Sequence, residues 1–165
     1  MRLVFRADAN STIGAGHVMR CAAIAEEAMA RGIETELIGS ILDIAWLSKK
    51  VTDGLFTQWT TPDFAIEDPR NLLVIDSYQI DTRDELIQPS NWLKTICLVD
   101  QETPFYLADY YIGFLDKLDW PYSKEIIESK IFSKVENNPV RLVHKKNTEV
   151  IEDHSLNIVV VGGGT

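Results

Sequence analysis

Residues 3–32 read LVFRADANSTIGAGHVMRCAAIAEEAMARG, and three regimes follow one another within them. Leu3-Val4-Phe5 is an apolar run without polar alternation, as in a strand buried on both faces. Ala9 to Gly16 collects Asn, Ser, Thr and two glycines, the composition of a loop. From His17 to Arg31 the residues Val18, Cys21, Ala22, Ile24, Ala25, Ala28 and Met29 fall near i, i+3, i+4 steps. Glu26, Glu27 and Arg31 are left for the wet side, and Gly32 is placed to end the helix as its C′ residue. Strand, glycine-bearing turn and helix together open a βαβ unit.

The alternation continues down the chain. Glu34–Ile38 reads as a second strand, Asp43–Lys50 as a helix with Asp43 as its N-cap, and Leu55–Trp59 as a third strand. Leu72-Leu73-Val74-Ile75, closed by Asp76, and Thr95-Ile96-Cys97-Leu98-Val99, closed by Asp100, read as central parallel strands buried on both faces. A short helix is expected over Thr82–Ile87, and Tyr110-Tyr111-Ile112 is a weaker sixth strand. The pattern predicts an α/β fold, a Rossmann-like doubly wound parallel sheet with helices on both faces.

Residues 1–115 are expected to form this domain. Residues 116–155, rich in Lys, Glu, Asn and Ser, read as its edge and an interdomain connection, with one helix over Glu125–Phe132. Leu156–Val161 is a further buried-strand run followed by Gly162-Gly163-Gly164-Thr165. Residues 156–165 are therefore expected to be the start of a truncated C-terminal domain.

The bulk properties narrow the function. Of 165 residues, 45% are hydrophobic and 25% charged, ordinary for a globular protein, and the formal net charge is -9. Such a balance lacks the basic face that nucleic acid or an anionic membrane requires. No run reaches the ~18 apolar residues of a membrane span. A strand begins at once without a signal-peptide core, so the expected location is the cytoplasm. Cys21 and Cys97 form no metal or redox spacing and read as small core residues. His144 and His154 read as exposed, and Trp46, Trp59, Trp92 and Trp120 as packing residues of the core or its edge.

Candidate chemistry gathers at the carboxyl ends of the strands, where open α/β sheets bind ligands. Gly14 and Gly16 allow backbone to approach a ligand, and the helix that follows offers free N–H groups to an anion. The spacing is not G-x-G-x-x-G, because Met19 stands at the third glycine, so a dinucleotide fingerprint is a poor match. His17, at the helix start and expected to be partly exposed, is either a general base or a helix-start residue without chemistry. Asp76 and Asp100 either orient the histidine, bind sugar hydroxyls or cap the next helix. Tyr78 either contacts a ligand or packs. Arg6 and Asp8 flank the loop. Arg20 shares a helix face with His17 and meets either a ligand anion or a surface carboxylate.

Arg6-Ala7-Asp8 followed by Ile13-Gly14-Ala15-Gly16-His17-Val18-Met19-Arg20 resembles the opening of the PseG/SpsG family. Leu73-Val74-Ile75-Asp76-Ser77-Tyr78 resembles its second motif, Val99-Asp100 with Ala108-Asp109 its third, and Val160-Val161-Gly162-Gly163-Gly164-Thr165 the G-G-T start of its C-terminal domain. The resemblance implies the N-terminal half of a two-domain GT-B fold. It also implies hydrolysis of a UDP-activated diacetamido-trideoxy sugar to free sugar and UDP, in pseudaminic acid or spore coat polysaccharide biosynthesis. His17 and Tyr78 take the catalytic positions. Arg6, Asp8, Gly14, Gly16, Arg20, Asp76, Asp100, Gly163 and Thr165 take the substrate-binding positions. Neither a cofactor nor a metal is implied. The implied partners are the UDP-sugar and the chain's own C-terminal domain, which is to hold most of the UDP. The 165 residues alone are then expected to bind UDP weakly and to turn nothing over.

The family's acidic pair after the fifth strand is here Asp100-Gln101. Its arginine-bearing stretch before the linker is here Ser129-Lys130-Ile131-Phe132. A GT-B glycosyltransferase, which needs an acceptor, and a degenerate nucleotide-sugar-binding domain, indifferent to His17, are the alternatives.

Overall fold

The computed structural model describes residues 1–65, 67–100 and 103–113, and the backbone of 131–132. The chain forms β1 (Leu3–Arg6), α1 (Gly16–Ala30), β2 (Thr35–Ile38), α2 (Ala45–Lys50), β3 (Gln58–Thr60), β4 (Leu72–Ile75), β5 (Lys94–Val99), β6 (Tyr110–Gly113) and β7 (Ile131–Phe132). The strands make one sheet in the order β3-β2-β1-β4-β5-β6-β7, and every neighbouring pair is parallel. This is the Rossmann-like α/β sheet expected from the sequence. Strand order reverses between β1 and β4, so the topological switch point lies at their carboxyl ends.

Each face of the sheet has its own core. Leu3 and Phe5 of β1, Leu37 of β2, Val74 of β4, and Ile96 and Leu98 of β5 pack with Val18, Cys21, Ala22, Ala25 and Ala28 of α1 and with Leu47 of α2. The alternate residues Val4, Ile38, Leu73, Ile75, Cys97 and Val99 pack on the second face with Ile80, Leu86, Ile87, Trp92 and Tyr106. Right-handed crossovers explain the division. The connections β1–β2 and β2–β3 step one way and carry α1 and α2, while β4–β5 and β5–β6 step the other way. Cys21 and Cys97 are both free and buried, as core residues should be.

Helix α1 ends as its sequence suggested. Gly32 (φ 74°) donates to Met29 O, and Ile33 donates to Ala28 O, the paired bonds of a Schellman turn.

Several local expectations change. Helix α2 begins at Ala45, and Asp43 caps nothing but sits at φ 59°, a left-handed conformation that Asp tolerates in turns. The third strand starts at Gln58 instead of Leu55 because the preceding segment Val51–Leu55 continues from α2 as a wide turn through Gly54 (φ 109°). The helix expected at Thr82–Ile87 shrinks to a 3-10 turn at Glu85–Ile87, whose cap Asp84 accepts from Leu86 N. Pro89 stops it. Among the described residues both α-helices therefore lie on one face, and turns cover the other.

Ile131–Phe132 pair with Tyr111–Ile112 of β6 as a strand, which overturns a helix reaching Phe132. An apolar pair beside an open strand edge gains ladder hydrogen bonds that an isolated short helix does not offer. Trp92 and Trp59 do pack, donating N–H to Leu86 O and Gly39 O, but Trp46 is 52% exposed with Lys50 over its ring. Gln101, Trp120, His144, His154, Leu156–Val161, and Gly162 to Thr165 lie outside the described residues, as do residues 125–130.

Candidate active site

Strand parity selects which side chains meet. In β4, Leu72 and Val74 face α1, so Asp76 does as well, two residues on. In β5, Ile96 and Leu98 face α1, and Asp100 follows them. Helix α1 brings His17 and Arg20, three residues apart on one face, over the same rim. His17, Arg20, Asp76, Tyr78 and Asp100 thus converge at the switch point and on to the end of β5.

Asp76 has no exposed surface. Its Oδ1 lies 2.7 Å from His17 Nδ1. Arg20 closes both oxygens, Nε to Oδ2 at 2.7 Å and Nη2 to Oδ1 at 2.5 Å. Its Nη1 reaches Asp100 Oδ2 at 3.3 Å, and the Tyr78 hydroxyl donates to that same Asp100 oxygen. The Tyr78 ring stands edge-on to His17, centroids 4.3 Å apart.

The carboxylate assigns the tautomer. Nδ1–H donates to Asp76, which leaves Nε2 of the neutral ring with its lone pair. Nε2 makes no hydrogen bond among the described residues. His17 is 5% exposed, so the expectation of a partly exposed ring is corrected. The reason is that Nδ1 must reach a carboxylate at the foot of α1, which draws the ring under the helix start.

Burial, then the hydrogen bond to Asp100, pushes the Tyr78 phenol well above its ordinary value, so it stays a neutral donor. Burial works against the Arg20 charge, but hydrogen bonding to Asp76 and the charges of Asp76 and Asp100 outweigh it and hold the guanidinium ionised. Neither acid caps a helix. The backbone turn after β4 is held instead by Ser77, whose hydroxyl accepts from Gln79 N and Ile80 N.

The glycine loop is held from within. Asn10 Oδ1 accepts from Thr12 N and Ile13 N, and Gly14 (φ 74°) donates to Asn10 O. Helix α1 has Ala15 at its N-cap with no side-chain cap and no acid in its first turn, so its leading N–H groups stay available. A Cβ added at Gly14 or Gly16 would meet nothing within 4 Å, so the space beside the loop is open.

Arg6 and Asp8 are placed apart from this cluster. Arg6 alternates with Phe5 and so points to the second face. Its Nη1 donates to Asp8 Oδ1 at 2.8 Å, and Asp8 Oδ1 also accepts from Ser40 N, a latch between the ends of β1 and β2. Arg6 Nε is the one buried side-chain N or O atom without a partner among the described residues. Asp109 lies at the other rim, accepting from Thr95 N, Thr95 Oγ1 and Lys94 Nζ where β5 begins. A concavity of about 450 Å³ is lined by Glu36 of β2, Gln58 and Thr60 of β3, Phe64, and Arg2 and Arg70 from the segments leading into β1 and β4; His17 does not line it.

Sequence reading missed Asn10, Ser40 and Gly39. Asn10 had a signal, an Asn two residues before a Thr-Ile-Gly turn. Gly39 had none, because its need for a missing Cβ comes from Ala7 of the neighbouring strand, whose carbonyl oxygen would stand 1.8 Å away.

Among the described residues no group of three or more His, Cys, Asp or Glu is placed to hold a metal ion. None of their helices is long and apolar enough to cross a membrane. No family model, no curated protein and no solved structure matches the chain.

Proposed function

We propose that this chain carries the sugar-side half of a cytoplasmic nucleotide-sugar hydrolase acting on a UDP-linked diacetamido-trideoxy sugar. The observation that carries the proposal is His17, its Nδ1 held at 2.7 Å by a fully buried carboxylate and its Nε2 left free at the switch point of the sheet. A histidine fixed in this way is a positioned general base.

In the proposed step, a water oxygen attacks the anomeric carbon and its proton passes to His17 Nε2. The bond between the anomeric carbon and the β-phosphate oxygen breaks, and UDP leaves with the electron pair. The formal charges of Asp76, Asp100 and Arg20 sum to one negative charge beside His17. That sign suits a sugar developing positive charge at its anomeric carbon better than it suits a diphosphate. The diphosphate is left to the uncapped start of α1 and to a second domain, to which the proposal assigns Gly163 and Thr165.

The test is UDP release from UDP-linked diacetamido sugars by the full-length protein, wild type beside His17→Asn. Turnover in water alone, lost in the variant, is expected. Turnover only with an added acceptor would replace the hydrolase by a transferase. Tight nucleotide-sugar binding with no turnover in either protein would make the chain a binding domain.

A further inference from the structure

A carboxylate with no exposed surface keeps its charge only when a partner of opposite sign closes it. Arg20 closes Asp76 with its planar fork, one N–H to each oxygen, and sends its remaining arm to Asp100. Among the described residues, His17 meets Asp76 and Tyr78 from the end of β4 and Arg20 from α1, while Cys21 of α1 lies against Asp76, and Asp100 from the end of β5 lies against Arg20 and Tyr78. Burial pushes the Cys21 thiol up and the Tyr78 phenol up, so both are neutral. The charge that His17 meets is set by the two carboxylates and the one guanidinium.

We propose that Arg20 is a positioning residue for His17, balancing the charge of Asp76 so that the carboxylate fixes Nδ1 without drawing a second proton onto Nε2. An aspartate that orients a histidine also stabilises imidazolium, and imidazolium has no lone pair with which to take a proton from water. A guanidinium shared over both oxygens separates the two effects, because the hydrogen bond that orients the ring remains while the charge of Asp76, which favours the ring's charged form, is offset. Lysine would neutralise one point and leave the second oxygen open. The i, i+3 spacing of His17 and Arg20 puts the base and its counter-charge on one helix face, and Asp100 anchors the far arm of the guanidinium.

The proposal rests on the reading of His17 as a base, yet it is measured without turnover. The readout is the titration midpoint of His17 by nuclear magnetic resonance of histidine-labelled full-length protein, the signal being assigned by its loss in His17→Asn. In Arg20→Gln the midpoint is expected to rise by about one pH unit or more. In Asp76→Asn, where the guanidinium remains without its main counter-charge, it is expected to fall. Opposite shifts identify charge balance, because lost packing would not reverse its sign between the two. Asp100→Asn, at the half-exposed end of the network, is the milder variant and is expected to lower the midpoint as well. An unchanged midpoint in a folded Arg20→Gln, or in Asp100→Asn should the former not fold, would overturn the proposal. So would shifts of the same sign in Arg20→Gln and Asp76→Asn. If the midpoints move as expected while the full-length protein releases no UDP, the charge balance stands and the hydrolase reading fails.

Discussion

Asp76 Oδ1 lies 2.7 Å from His17 Nδ1, and the two residues stand 59 positions apart in the chain. The contact crosses from the end of β4 to the first turn of α1, so the central sheet and the helix over it hold the imbalance-prone pair in one geometry. His17→Asn keeps an N–H donor for Asp76 and deletes Nε2. It is expected to fold and to lose turnover by about 10²–10⁴-fold, the usual contribution of a general base. His17→Ala also leaves a buried carboxylate short of a donor, and is expected to lower stability by about 1–3 kcal/mol besides. Urea unfolding beside UDP release separates the two effects. A near-native rate in His17→Asn would remove His17 from the chemistry.

The Asp76–Arg20 pair is buried on the carboxylate side and half-buried on the other. Removing one member of such a pair leaves the other charge uncompensated, so Asp76→Asn is expected to cost about 3 kcal/mol. The measurement is a denaturant midpoint at constant slope, since the surface exposed on unfolding hardly changes. A loss under about 1 kcal/mol would mean that Arg20 finds full compensation at Asp100.

Where local pattern and tertiary role agree, the sequence was readable. Leu72–Ile75 and Thr95–Val99 are apolar throughout because both sides of the sheet are covered, and the acids that close them mark the carboxyl rim. Residues 17 and 20 could be placed on one helix face from spacing alone. The partners could not. That both meet Asp76, rather than ligand or solvent, depends on which strand lies beside β1, and strand order is not a local property. The same gap hid the separation of Arg6 and Asp8 from His17. All three flank one loop in sequence, yet alternation in β1 sends Arg6 to the second face. The helix at Thr82–Ile87 failed for a local reason, because Asp81 and Asp84 satisfy backbone N–H groups in turns and Pro89 follows.

Alkaline pH should unfold the protein through its buried acids. Burial raises Tyr106 to about 12 from an ordinary 10.0, and it also raises Cys21 and Cys97 above an ordinary 9.0. With folded values above unfolded ones, their contribution is complete below pH 9. It is lost as pH rises, first as the unfolded thiols ionise and then, between 10 and 12, as unfolded Tyr106 does. Each group contributes about 1.4 kcal/mol per pH unit within its own window. Tyr106→Phe is expected to flatten the loss between pH 10 and 12. At neutral pH it is expected to cost about 1 kcal/mol for the hydrogen bond to Ile80 O. Stability curves from pH 7 to 12 test this, and a Tyr106→Phe curve parallel to wild type throughout would refute it.

Two glycines at the same rim should answer oppositely to alanine. At Gly39 a methyl group would lie 1.8 Å from Ala7 O. The ends of β1 and β2 are tied together there by Ala7 N to Ile38 O and Ser40 N to Asp8 Oδ1, and neither strand can move aside alone. Gly39→Ala is expected to cost about 3 kcal/mol or more. At Gly16, the first residue of α1, the same methyl meets nothing within 4 Å. Gly16→Ala is expected to leave stability unchanged or to raise it by up to about 1 kcal/mol, as alanine in a helix does. Nothing in the fold therefore requires glycine at position 16, and a requirement, if there is one, comes from a ligand. Under the proposed function the open space beside Gly16 is where the sugar diphosphate passes, so Gly16→Ala should raise KM several-fold while melting at or above the wild-type temperature. An unchanged KM in a stable Gly16→Ala would place the ligand elsewhere and leave His17 without a substrate on this side of the loop.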